Sequence, residues 1–235
     1  MNALLQIFFS PQRAFGELKE ENKFPTMALI IMLLLVAVNL ILLIPVTSKV
    51  AALMLTKTAV QMPEQQMERA LDMLHKLRYL TAIGGVFTAV FTFFMYALLL
   101  YIITLVAKPV LVYMKAFTVI VYSYLTLAIG GLVNTGLLYL RGIDTITSPY
   151  EVELTGLNVL TTMEQAGGAL YVFLSMVNPF QLWFVILLSI GLKVFTEIKF
   201  SKALLLCILF WIITVIFPVV SMIFSEMTMK NAGIM

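Results

Sequence analysis

Long apolar stretches separated by shorter polar segments run along almost the whole chain. Because the hydrocarbon core of a bilayer is about 30 Å thick, a spanning α-helix needs about 20 mostly apolar residues. The pattern therefore predicts five transmembrane helices, at about 27–47, 79–107, 116–140, 179–198 and 203–224. Lys193 interrupts the fourth of these stretches, but it is close enough to the end of the predicted helix for its ammonium group to reach the headgroups.

The amino-acid composition agrees with this pattern and excludes a soluble fold. Hydrophobic residues make up 62% of the chain and charged residues 11%, with a mean hydropathy of +1.03, whereas a soluble domain has about 25% charged residues. The first span is too long for a signal peptide and shows no clear cleavage site, so we expect it to remain as an anchor. The sequence predicts an all-α polytopic membrane protein with an amphipathic head at 1–26, a five-helix membrane domain at 27–225 and a tail at 226–235.

The distribution of lysine and arginine predicts the orientation of the spans. With a cytoplasmic N-terminus, the inside segments hold eight of these residues and the outside segments hold seven. The inside segments are much shorter, so their density of basic residues is higher. The outside segments, 48–78 and 141–178, are long and carry most of the remaining acids. We therefore expect a cytoplasmic N-terminus and a C-terminus outside.

Three segments next to the spans carry helical patterns of their own. Ser10 and Pro11 mark a helix start, and the residues after them predict a helix lying on the cytoplasmic leaflet. A second amphipathic helix is predicted from Pro63 onward. Residues 167–177 are too short to span and predict either a surface-lying or a re-entrant helix, two alternatives that the sequence leaves open. The apolar faces of the first two segments are candidate contacts with a partner or the membrane surface, through Phe8, Phe9, Phe15, Leu18, Met67, Leu71 and Leu74.

Small residues inside the spans are candidates for helix packing. Gly85 and Ala89 in the second span are four residues apart, as are Gly131 and Thr135 in the third, so each pair lies on one helix face. Small residues let two backbones approach closely in lipid, where the solvent is as apolar as the side chains. We therefore expect the second and third helices to pack against each other at these positions.

Polar groups deep in the spans are few. Asn39 and Asn134 are the strongest of them, and we expect each to bond to a neighbouring helix, with substrate binding as the alternative. Asp, Glu and His are absent from the middle of every predicted span. This absence argues against a proton- or sodium-coupled transporter, which needs an ionisable relay.

Catalytic and cofactor signatures are missing from the sequence. It holds no HExxH, GxSxG or P-loop motif. His75 has only Asp72 at ligand spacing, and two ligands do not make a metal site. The formal charge of +3 is scattered along the chain, which argues against a nucleic-acid partner. We therefore expect a protein that is not an enzyme and has no cofactor or metal.

Short motifs that follow one another along nearly the whole chain resemble the bacterial branch of the Yip1 family. They are FSPQRAF at 9–15, KAF at 115–117 with VYS at 121–123, then NPFQLW at 178–183, LLSIGL at 187–192 and KA at 202–203. The resemblance implies a five-helix integral membrane protein with a cytoplasmic N-terminus. The long polar N-terminal region and Asp-Leu-Tyr-Gly-Pro-type motifs of the eukaryotic relatives, which work with Rab GTPases, are absent here. The resemblance therefore implies the cytoplasmic membrane of a bacterium, without the vesicle-traffic function.

Two functions of different class follow. Some bacterial relatives are accessory membrane proteins encoded beside ABC exporters, which implies a non-catalytic subunit that contacts the lipid bilayer and another integral membrane protein, or a second copy of itself. The alternative is a transporter or lipid-handling protein with a cavity near Asn39, Asn134 and the helix at 167–177. The sequence names neither the partner nor a substrate.

Overall fold

A computed structural model of the protein describes residues 3–21, 23–58, 64–108, 111–148 and 150–231. These residues form α-helices joined by short segments, and they contain no β-strand. The α-helices of the described ranges are α1 (Ala3–Phe9), α2 (Pro11–Glu21), α3 (Thr26–Leu42), α4 (Ile44–Thr58), α5 (Glu64–Ala107), α6 (Tyr113–Arg141), α7 (Met163–Ala166), α8 (Gly168–Met176), α9 (Pro179–Thr196) and α10 (Phe200–Asn231). Two short 3₁₀ helices, Ile143–Thr145 and Leu157–Leu160, lie between α6 and α7.

Four of these helices, α5, α6, α9 and α10, are long and apolar enough to cross a bilayer. The pair α3 and α4 adds a fifth span when the two are counted together, with a bend of 50° between them. The prediction of an all-α polytopic membrane protein is therefore confirmed. The first span, expected over 27–47, is bent near Pro45. Pro45 has no amide hydrogen to donate to Ile41, and its ring crowds that carbonyl.

Helix α5 is longer than the second predicted span. It runs unbroken over 44 residues from Glu64, which is about 66 Å at 1.5 Å per residue. The expected outside loop at 48–78 is therefore mostly helix, because α4 fills its first part and α5 its last part. No proline or glycine lies between Glu64 and Gly84, and the strong helix formers in that stretch carry the helix directly into the membrane span.

Helix α6 is the centre of the bundle. Its most apolar stretch is 67% buried within the protein, against 28% for those of α5 and α10, and it packs against α3, α5 and α9. Tyr124 of α6 joins two of these neighbours, because its ring lies edge-on to Phe93 of α5 at 4.8 Å and to Phe184 of α9 at 6.1 Å. Helices α5 and α10 therefore leave most of their apolar surface outside the bundle, whereas α6 does not.

The spans alternate in direction, so the bundle has two distinct ends. At one end, Phe24 stacks on Phe117 at 5.5 Å, and the Lys202 ammonium group donates to the Ala107 carbonyl at 3.4 Å. We call this the lysine end, since Lys19, Lys23, Lys108, Lys115, Lys193, Lys199 and Lys202 all lie near it. The opposite end, which carries the connection from α6 to α8, is called the loop end.

In the connection that returns from the loop end, helix α8 occupies the segment for which a short non-spanning helix is expected. It packs against α10, with the ring of Phe173 at 6.3 Å from that of Trp211. Asn178 then caps α9, its side-chain oxygen accepting from the Gln181 amide at 2.8 Å, and Pro179 takes the first helical position. Asn178 and Pro179 therefore determine where α9 begins.

Candidate functional site

The N-terminal segment packs against the bundle through α2. The side chain of Phe15 is fully buried, and its ring lies edge-on to Phe195 of α9 at 6.4 Å. A Cβ at Gly191 would lie 3.0 Å from the Phe15 ring and 2.6 Å from Val119 of α6. Because only glycine leaves this space, Gly191 is the point at which α2, α6 and α9 meet.

An ion pair fastens the far end of α2 to the end of α9. The Lys19 ammonium group donates to the Glu197 carboxylate at 2.6 Å and to the Val194 carbonyl at 3.1 Å. Glu197 adopts a left-handed conformation, with φ of 59°, that ends α9. The hydrogen bond and the charge of Lys19 lower the pKa of Glu197 below its ordinary value of 4.5. Lys19 thus satisfies a carbonyl that the helix end leaves open.

This docking changes the interpretation of the predicted partner surface. Phe15 is inside the protein, and Leu18 is half-buried against the same hydrophobic core, so neither forms a free surface. The physical reason is the groove at Gly191, which receives the apolar face that the sequence analysis assigned to a partner or the lipid surface. Phe9 is 81% exposed, and Phe8 is half-buried. The side chains of Met67, Leu71 and Leu74 lie outside the described part of the chain.

Helix α1 lies deeper in the bundle than a surface helix would. Phe8 shares a cavity with Thr126 and Ile129, near the middle of α6, and Ile7 is fully buried. The sequence of α1 contains no charged residue, so entering the apolar region costs it no ionised group. The N-terminal segment is therefore an apolar helix beside the bundle followed by the amphipathic α2 at the lysine end.

The glycines expected to join the second and third spans both face α3 instead. A Cβ at Gly85 would lie 2.8 Å from Leu40, and one at Gly131 would lie 2.9 Å from the Asn39 amide nitrogen. Helices α5 and α6 do pack against each other, but these two positions make room for α3 between them. Ala89, on the same helix as Gly85, is half-buried against the main core.

The two intramembrane asparagines have different partners. Asn39 accepts a hydrogen bond of 2.7 Å from the Thr135 hydroxyl, which joins α3 to α6. Asn134 bonds to the connection after α6 rather than to a helix. Its side-chain nitrogen donates to the Val152 carbonyl at 2.8 Å, and its side-chain oxygen accepts from the Leu154 backbone amide at 2.7 Å. This second arrangement imitates the pairing of two extended backbones, and it fixes residues 152–154 to the loop end.

A third buried amide escaped the sequence analysis. Asn158 is almost fully buried at the loop end, and its amide donates to the Glu153 carbonyl at 2.9 Å and to the Tyr171 hydroxyl at 3.2 Å. Gly156 beside it leaves room for the Ser175 carbonyl, which a Cβ would approach to 2.5 Å. An asparagine two residues after a glycine in a long polar segment was the available signal. These contacts hold the connection against α8.

The polar groups described above hold the helices and the loop segments of the protein together. Across the described ranges, no three His, Cys, Asp or Glu side chains lie close enough together to bind a metal ion. The buried asparagines hold helices and loops together, and the charged pairs lie at the surface. These features define a polytopic helical membrane protein whose N-terminal segment is part of the folded unit.

Comparison with known proteins narrows this class to one family. The family model described as the Yip1 domain matches residues 5–222, from α1 into α10. The chain therefore belongs to the Yip1 family. No curated protein and no solved structure matches the chain.

Proposed function

We propose that this Yip1-family protein is a non-catalytic accessory subunit of another integral membrane protein, such as an ABC exporter, in the cytoplasmic membrane of a bacterium. The observation that supports the proposal is the extension of α5 over residues 64–78, before its span begins at Tyr79. Met73 and Leu77 are exposed there, one helical turn apart on the same face. Neighbouring exposed apolar side chains outside the hydrocarbon region are a feature of protein and membrane contact sites.

Co-purification tests this proposal. The double variant Met73→Ala with Leu77→Ala removes the exposed stripe, and Ile83→Ala with Phe87→Ala is the matched control, since that pair is also exposed and one turn apart on α5 but lies within the span. From native membranes in mild detergent, we expect the first variant to lose its membrane-protein partner and the second to keep it. A wild-type protein that purifies alone, or only as a second copy of itself, contradicts the accessory-subunit proposal.

We also propose that the lysine end faces the cytoplasm, which the density of basic residues supports. The test uses single cysteines at the exposed positions Glu20 and Glu164, in a chain with Cys207→Ser. On intact cells, an impermeant thiol reagent should label position 164 and leave position 20 unlabelled. Labelling of position 20 would reverse the assignment.

Transport or lipid handling is the second candidate function. The cavity expected near Asn39, Asn134 and 167–177 has weaker support, because both side chains are engaged in hydrogen bonds within the protein. A specific observation in favour of this function is a different cavity, between α1, α6 and α9.

A further inference from the structure

The cavity between α1, α6 and α9 has a volume of about 300 Å³, which is in the range of small-molecule sites. Its lining is aromatic and apolar, and none of the lining residues carries a charge: they are Phe8, Thr126, Ile129, Pro179, Phe180 and Trp183. A charged ligand would find no counter-ion among these side chains. The cavity therefore fits an uncharged molecule.

The aromatic wall is built by the start of α9. A Cβ at Gly130 of α6 would lie 2.6 Å from Phe180, so glycine at this position lets the ring rest directly on the α6 backbone. Trp183 follows on α9 one turn later and shares that side of the helix. The cap at Asn178 fixes where this helix starts. The wall is thus held in place by packing and capping within the protein.

One residue of the cavity wall has a buried polar atom with no partner in the described chain. Thr126 is 4% exposed, and its hydroxyl oxygen forms no hydrogen bond. An unpaired buried polar group lowers the stability of the folded protein. The Thr126 hydroxyl is therefore suited to a bound molecule that carries a hydrogen-bonding group.

Other threonines in the spans do form hydrogen bonds through their hydroxyl groups, so the unpaired hydroxyl of Thr126 is not a general property of these helices. Thr118 of α6 is 5% exposed, and its hydroxyl donates to the Met114 carbonyl one turn earlier at 3.0 Å. Thr88 and Thr92 of α5 do the same at 2.9 and 2.8 Å. Thr126 is equally buried and lacks this bond, so its hydroxyl remains available as a donor.

The position of the cavity in the bundle limits the ligand further. Thr126 lies 13 residues after Tyr113 and 15 residues before Arg141 in α6, and the facing wall is the start of the α9 span. Because the lining belongs to membrane spans and to the uncharged α1, an ionised group would be costly there. A neutral carbonyl oxygen on an apolar chain matches both the uncharged lining and the Thr126 hydroxyl donor.

We propose that this cavity binds a neutral lipid that carries a carbonyl oxygen, the chemistry shared by acylglycerols and prenyl quinones. Rotation of the Thr126 side chain about its Cα–Cβ bond brings the buried hydroxyl into the cavity, where it donates to that oxygen, and the hydrocarbon part lies against Phe8, Phe180 and Trp183. The site is independent of the contact proposed on α5.

Tryptophan fluorescence provides the measurement, because the chain has only two tryptophans, Trp183 in the cavity wall and Trp211 on α10. Trp211→Phe removes the second reporter and also deletes a buried indole nitrogen that has no partner in the described residues, so we expect this change to be tolerated. The full-length variant is reconstituted in phosphatidylcholine bilayers. It is titrated separately with a brominated diacylglycerol, a short-chain prenyl quinone and, as the bulk-lipid reference, a brominated phosphatidylcholine.

We expect the diacylglycerol, the quinone or both to quench Trp183 saturably and beyond the phosphatidylcholine reference, and the comparison identifies the lipid class. Thr126→Val should raise the apparent Kd about fivefold, the value of one ordinary hydrogen bond, and Thr126→Ser should restore it. Thr118→Val, with equal burial on the same helix, should leave binding unchanged. Quenching that never exceeds the reference, or equal losses in the two valine variants, would overturn the proposal and leave a cavity filled only by bulk lipid chains.

Discussion

The Thr135 hydroxyl of α6 donates a hydrogen bond of 2.7 Å to the Asn39 side chain of α3. Asn39 also lies against Gly131, one turn away from Thr135 on the same helix. A polar bond and a close backbone approach therefore reinforce each other at one point. In a bilayer, where apolar side chains gain little by leaving lipid, such points decide which helices associate.

The bond between Asn39 and Thr135 should be measurable as a coupling energy. Side-chain hydrogen bonds within membranes average about 0.6 kcal/mol and reach about 1.7 kcal/mol. We expect a double-mutant cycle with Asn39→Ala and Thr135→Val to give a coupling of that size in the free energy of unfolding, measured by steric trapping in bicelles. Strict additivity of the two changes would show that the bond contributes nothing.

Gly131→Leu should destabilise the bundle by forcing α3 away from α6. A Cβ alone would already lie 2.9 Å from Asn39, and overpacking of this kind costs about 1–3 kcal/mol. Gly136→Leu is the matched control, because position 136 is on the same helix and has no atom within 4 Å of an added Cβ. Thermal unfolding in detergent should show a lower Tm for the first variant only. Equal Tm values would place residue 131 on a lipid-facing surface.

Phe15→Ala should release α2 from the bundle, since the ring fills a closed site beside Gly191. Replacing a buried phenylalanine costs about 3–5 kcal/mol. In membrane vesicles that expose the lysine end to the medium, limited trypsin digestion should then cut at Arg13 or Lys19. The wild-type protein should resist cleavage at these two residues. Phe9→Ala serves as the control, because that side chain is already exposed. Resistance of the Phe15 variant would contradict the docked arrangement.

The contact between Lys19 and Glu197 should weaken in acid. The pKa of Glu197 is lowered in the folded protein by the hydrogen bond and charge of Lys19, so the carboxylate stabilises docking at pH values above 4.5 and loses this effect as the pH falls through its lowered pKa. A spin label at Glu20, in a chain with Cys207→Ser, should become more mobile in that acidic window. Glu197→Gln should show higher mobility at neutral pH and no further change. An unaltered pH response in Glu197→Gln would assign the effect to another group.

Several features of the fold could be predicted from the sequence because they depend on local pattern. The apolar stretches predicted the membrane class, and Asn178 followed by Pro179 matches the residue preferences of a helix start. The bend in the first span also has a local cause, Pro45. The span was predicted from mean hydropathy, however, and one proline inside an apolar stretch changes that value little. Length and composition describe a span without stating whether it is straight.

Helix partners could not be predicted in the same way. The spacing of Gly131 and Thr135 shows that one face of the helix carries small side chains, but α3 and α5 both present apolar side chains and either could pack against that face. Phe15 likewise belongs to an apolar face that fits a membrane surface as well as a protein groove. Only the three-dimensional position of Gly191 decides between these two, and that residue is distant in the sequence.

The ion pair of Lys19 with the end of α9 has a consequence for biosynthesis. The Lys19 side chain and the Val194 carbonyl are separated by 175 positions, so at about 5–20 residues per second the ribosome needs roughly 10–35 s to supply the second partner. Until then the apolar face of α2 has no groove to enter. A nascent chain would meanwhile present this face to the bilayer surface or to a chaperone, and premature termination before the fourth span would leave it there permanently.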